Sequence, residues 1–73
     1  MEPKELEIIE KYKDKDPELK ALWEEHLKLE AELQELLSKP YLTTEDEIRK
    51  KEIQIKKLHG KDRILEIIKK YQN

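Results

Sequence analysis

The chain has 73 residues, of which 47% are charged and 36% apolar, with a formal net charge of −2. There is no Cys, Val or Phe, one Gly and one Ser. These counts leave room for one small core, exclude a disulfide framework or thiolate zinc site, and leave too few residues for a glycine-rich phosphate loop.

The apolar residues are nearly all Leu and Ile, which with abundant Glu and Lys is the composition of helical hairpins and coiled coils. The expected fold is therefore all-α: an antiparallel two-helix hairpin, coiled-coil-like, preceded by a short N-terminal helix. The first element spans about 3–13, with Leu6, Ile8, Ile9 and Tyr12 as its apolar residues. Asp16-Pro17 then supplies an N-cap followed by proline at the first helical position, where a missing N–H costs nothing. From 17 to 38, Leu19, Leu22, His26, Leu29, Leu33 and Leu36 recur at alternating steps of three and four, an a/d seam that Trp23, Leu27 and Leu37 widen.

Pro40 ends that helix and pushes Lys39 out of helical geometry. The loop covers 39–44, and Thr44 with Glu47 forms a capping box for the next helix. A connection of about six residues makes the flanking helices antiparallel neighbours. The last helix, 45–71, carries two apolar stripes. One is Ile48, Lys51, Ile55, Leu58, Asp62 and Leu65; the other is Ile53, Gly60, Ile64, Ile67, Ile68 and Tyr71. Both keep their phase across Gly60, so the helix runs through the glycine at a cost of about 1 kcal/mol relative to Ala.

Folding the hairpin about its loop pairs Leu36 with Ile48, Leu29 with Ile55, His26 with Leu58, and Leu22 with Asp62. The first stripe is thereby assigned to the core, and His26 with Asp62 becomes an interhelical polar pair in which the carboxylate raises the imidazole pKa unless burial opposes it more strongly. Ile53, Ile64, Ile67, Ile68 and Tyr71 are left as a self-association face, unless the N-terminal helix folds over them. The last helix is also the longer, about 40 Å against about 33 Å, so its end needs such a cover.

Three stretches are similar to the YdcH-like family of small bacterial helical-hairpin proteins of unknown function. They are Trp23-Glu24-Glu25-His26-xx-Leu29, then Lys39-Pro40-Tyr41-Leu42-Thr43 with its acidic run, and Lys57-Leu58-x-Gly60-Lys61-Asp62-Arg63-Ile64. The resemblance covers about residues 16–71 and implies a hairpin fold and a bacterial, cytosolic setting. It brings no catalytic residues. Gly60 departs from it, since a leucine or another strong helix former is equally expected there.

Charge divides unevenly: residues 1–37 hold twelve acids and six bases, residues 38–73 six acids and ten bases. Helices of opposite charge that pair with each other have this pattern. So does a basic helix for an acidic partner, and Arg49, Lys56, Arg63 and Lys70 recur every seven residues as a nucleic-acid stripe. Acids within a turn of that stripe and the lack of interleaved aromatics favour a solvated face braced by Glu47–Lys51, Glu52–Lys56 and Glu66–Lys70 instead. His26, His59, Glu30 and Asp62 offer a weaker alternative, a metal site across the hairpin. No nucleophile–base pair can be assembled, so no catalytic, cofactor or metal residue is assigned. The expectation is a cytoplasmic, non-enzymatic protein–protein interaction module that forms homo-oligomers or docks on another protein. Nucleic acid is the alternative partner, and no membrane association is expected.

Overall fold

The computed structural model describes residues 2–72. Those residues are all-helical, with no strand: α1 Pro3–Tyr12, α2 Pro17–Leu37 and α3 Thr44–Lys69. The three helices fill a rod of 45 × 19 × 17 Å.

Each helix starts on a local device. Pro3 opens α1, and the Glu2 N–H donates to Glu5 Oε1 at 3.0 Å. Asp16 caps α2, its Oδ1 accepting the Leu19 N–H at 3.1 Å, with Pro17 next in line. The capping box of α3 lies one residue earlier than the sequence suggested. Thr43 Oγ1 accepts the Asp46 N–H and Asp46 Oδ2 accepts the Thr43 N–H, both at 3.1 Å. Two adjacent threonines and three adjacent acids permit either register. Lys39 favours this one, since its Nζ lies 3.0 Å from Asp46 Oδ1.

α2 ends at Leu37, where Ser38 donates through its hydroxyl to the Glu35 carbonyl at 2.7 Å. α3 passes through Gly60 without a break, and no described residue has a positive φ. It stops at Lys69, and the Lys70 and Tyr71 N–H groups bond three residues back, to Ile67 and Ile68.

Along the axis, contacts between α2 and α3 follow the expected order. Arg49 meets Glu32 near the connection, Lys57 meets Glu30 midway, and Arg63 meets Glu18 far from it. About its own axis, however, α3 presents the stripe opposite to the one expected. Ile53 packs with Leu29 and Leu33, and Ile64, Ile67 and Ile68 pack with Leu19 and Ile9. Ile48, Ile55 and Leu58 face outward. The physical reason lies in the stripes themselves. The outer stripe contains Lys51 and Asp62, whose burial without partners is costly, whereas the inner one has four isoleucines and an uncharged glycine.

The core forms two clusters, one at each end of the α2–α3 contact. Gly60 falls between Ile53 and Ile64 on the inner stripe, and a Cβ built on it meets nothing within 4 Å. α1 closes the far cluster: Ile9 is fully buried there, and Ile8 and Tyr12 pack against the same group.

Candidate interaction surface

The side chains that sequence reasoning offered as a self-association face are occupied within the chain. Ile53, Ile64, Ile67 and Ile68 are buried. Tyr71 stacks on Tyr12 of α1 with ring centroids 4.1 Å apart, and its hydroxyl donates to Asp16 Oδ2 at 2.8 Å. One carboxylate therefore caps α2 with Oδ1 and holds the end of α3 with Oδ2. The Tyr71 hydroxyl, and after it the Leu19 N–H, keep the Asp16 pKa below its ordinary value. α1 covers the far part of this stripe through Ile9, Ile8 and Tyr12, and α2 covers Ile53 through Leu29 and Leu33.

The His26–Asp62 pair does not form. Asp62 is exposed on the outer stripe, while half-buried His26 stacks on Trp23, its own neighbour one turn back on α2, at 5.4 Å. His26 Nδ1 is buried and has no hydrogen-bond partner among the described residues. The His26 pKa is accordingly lowered, not raised. Burial is the main cause and the Lys57 cation the next, against an opposing pull from Glu30. Rotation of α3 accounts for the missing pair, because it brings Lys57 rather than Asp62 to that side of α2, and the Lys57 cation adds to the larger effect of burial. Lys57 ion-pairs with Glu30, and this contact holds the Glu30 carboxyl below its ordinary value.

Two of the four residues of the basic stripe, Arg49 and Arg63, are neutralised from within. Arg49 lies 2.7 Å from Glu32 and 3.7 Å from Glu52; Arg63 lies 2.9 Å from both Glu18 and Glu66. Arg63 grips Glu18 through Nε and Nη2, the fork geometry that distinguishes Arg from Lys. Only Lys56 and Lys70 of the four lack an ion-pair partner among the described residues, so no continuous basic row is presented. The expected i,i+4 braces are replaced by i,i+3 pairs, Arg49–Glu52 and Arg63–Glu66, whose guanidinium groups also reach across to α2. The acidic excess of the first half and the basic excess of the second thus meet inside the chain. Nor do the histidines and nearby carboxylates gather: among the described residues no group of three or more His, Asp or Glu is placed to hold a metal.

What remains open is the outer stripe of α3. Ile48, Ile55 and Leu58 are 56%, 47% and 57% exposed, a row of aliphatic side chains on the face turned away from α2. Leu65 continues it and is half committed to the far core cluster. Lys51 and Asp62 interrupt it, both exposed and neither ion-paired among the described residues. Beside Leu58, a shallow recess is lined by His26, Glu30, Gln54, Lys57 and Lys61. Sequence reasoning found the outer stripe but placed it in the core. It gave Asp62 a partner in His26 and left Lys51 with none, and that unpartnered second charge is the signal against burying the stripe.

No family model, curated protein or solved structure matches this chain. No described helix is long and apolar enough to cross a membrane.

Proposed function

We propose that this protein is a non-enzymatic protein–protein interaction module: an antiparallel helical hairpin, braced by α1, that offers the outer stripe of α3 to a partner helix. The observation carrying this reading is the exposure of Ile48, Ile55 and Leu58 in helical register on one face. A folded chain that already buries a second, opposite stripe on the same helix has no internal use for this one. Isolated surface leucines are ordinary, but a row at i, i+7 and i+10 is the footprint by which one helix docks on another. The arginines, engaged by α2 and by neighbouring acids, favour protein over nucleic acid as the partner. The absence of cysteine supports a reducing, cytoplasmic setting. The resemblance to YdcH-like proteins belongs to the same reading, and rests on the stretches around Trp23, Pro40 and Lys57–Ile64.

The test is capture from the native host with a tagged chain, with and without nuclease. The comparison is between the wild type and the Ile55→Lys, Leu58→Lys double variant, with helicity checked by circular dichroism. Proteins retained by the wild type and lost by the helical double variant, regardless of nuclease, are the expected result. An identical set retained by both would remove the stripe from the account, and loss on nuclease treatment would shift it to nucleic acid.

A further inference from the structure

The order of residues along the outer stripe points to its occupant. Ile48, Lys51, Ile55, Leu58, Asp62 and Leu65 are separated by three, four, three, four and three residues, the a/d spacing of a two-stranded coiled coil. The stripe also reads as its own complement in reverse. If a second α3 lies antiparallel across it, with the two-fold axis between Lys56 and Lys57, Ile48 faces Leu65, Lys51 faces Asp62 and Ile55 faces Leu58. Each of these layers occurs twice by symmetry, as an isologous interface requires.

We propose, resting on the docking reading above, that the stripe binds a second copy of this chain through an antiparallel α3–α3 contact in this register. Charge complementarity singles it out. A parallel pairing sets Lys51 on Lys51 and Asp62 on Asp62. Sliding the antiparallel pair by one heptad in one direction sets Lys51 against Ile55; sliding it in the other sets Asp62 against Leu58. Each alternative places like charges together or leaves a charge against an aliphatic side chain, whereas the chosen register pairs both charges and keeps every aliphatic residue with another. The two charges that keep the stripe out of the hairpin core are the ones that fix its partner and direction, as polar positions in coiled-coil seams commonly do.

The contact is about 26 Å long from Ile48 to Leu65. Only three strongly exposed aliphatic side chains enter from each copy. The dimer is accordingly a weak one, with a dissociation constant of roughly tens to hundreds of micromolar.

Sedimentation equilibrium of the full chain from about 10 µM to about 2 mM tests it, a range chosen to bracket that affinity. The wild-type mass should rise toward twice the monomer's. Lys51→Asp and Asp62→Lys should each weaken association by roughly tenfold or more, because two attractions become two repulsions. The double variant carrying both should recover it, and an equimolar mixture of the two single variants should associate as the separate solutions do not. Both substitutions lie on the exposed face, and circular dichroism verifies that each of the three variants remains helical. A wild type that is monomeric throughout the range overturns the proposal, as does a helical double variant no stronger than the singles. A monomeric wild type that still captures another protein in an Ile55-dependent way overturns the second copy while leaving the docking surface standing.

Discussion

Gly60→Ala tests the course of α3 and the division of the core together. Gly60 lies within the helix at a non-positive φ, half-buried on the inner stripe, and an added Cβ meets no atom within 4 Å. The methyl group therefore enters without a clash, and alanine restricts the unfolded chain more than glycine does. The backbone contribution is about 0.8–1 kcal/mol in favour of alanine. The methyl meets no atom within 4 Å, so packing adds nothing to that figure. The gain should be about 0.8–1 kcal/mol, and each kcal/mol raises Tm by about 4–8 °C in a domain of this size. Urea and thermal unfolding followed by ellipticity measure it, with helicity before the transition unchanged. A Tm equal to or below the wild type's would refute the reasoning, since it would require a left-handed glycine or an atom packed on its bare Cα.

Truncating Ile53→Ala should cost about 2–4 kcal/mol through a cavity beside Leu29 and Leu33, while Ile55→Ala should change monomer stability by no more than about 0.5 kcal/mol; reversed magnitudes would return the outer stripe to the core. In an NMR titration His26 should ionise below its ordinary value, Asp62→Asn should leave its curve in place, and Lys57→Gln should move it upward, because a cation is removed and Glu30 released. Because its folded pKa lies below the unfolded value of about 6.5, His26 contributes stability above that pH, and the contribution is lost as pH falls through the folded pKa. The same sign holds for Asp16, lowered chiefly by the Tyr71 hydroxyl, and for Asp46, lowered chiefly by Lys39. The contributions of these two aspartates should hold above about pH 4 and decline as pH falls through their folded values, below the window in which His26 acts, and Tyr71→Phe should move the acid midpoint upward.

The helices were legible in the sequence because their boundaries are local chemistry. Asp16-Pro17, Pro40 and the threonine–acid run each act within one turn of themselves. The ion pairs Arg49–Glu32, Lys57–Glu30 and Arg63–Glu18 are compatible with the fold-back that a short connection favours. The rotation of α3 was not legible. With two apolar stripes on one helix, periodicity alone gives no preference, and the choice rests on the cost of burying Lys51 and Asp62 against the fit of four isoleucines. His26 illustrates how that single choice propagates. Once α3 turns, Asp62 leaves the imidazole's side and Lys57 takes it, so that burial first and the Lys57 cation second lower the pKa against the pull of Glu30. The cover that α1 provides was an open alternative, because ten residues that pack only on a far cluster carry no mark of where they dock. The Tyr12–Tyr71 stack and the Tyr71–Asp16 hydrogen bond were invisible for the same reason, joining segments far apart in sequence.

The most direct test of the central claim, that the outer stripe of α3 is the binding surface and the inner one the core, is an isoleucine-methyl NMR spectrum recorded along a dilution series. The δ1 methyl groups of Ile48 and Ile55 should shift progressively with protein concentration, while those of Ile53, Ile64, Ile67 and Ile68 stay fixed. Concentration-dependent shifts at Ile64, Ile67 and Ile68 with Ile48 and Ile55 unmoved would contradict the account.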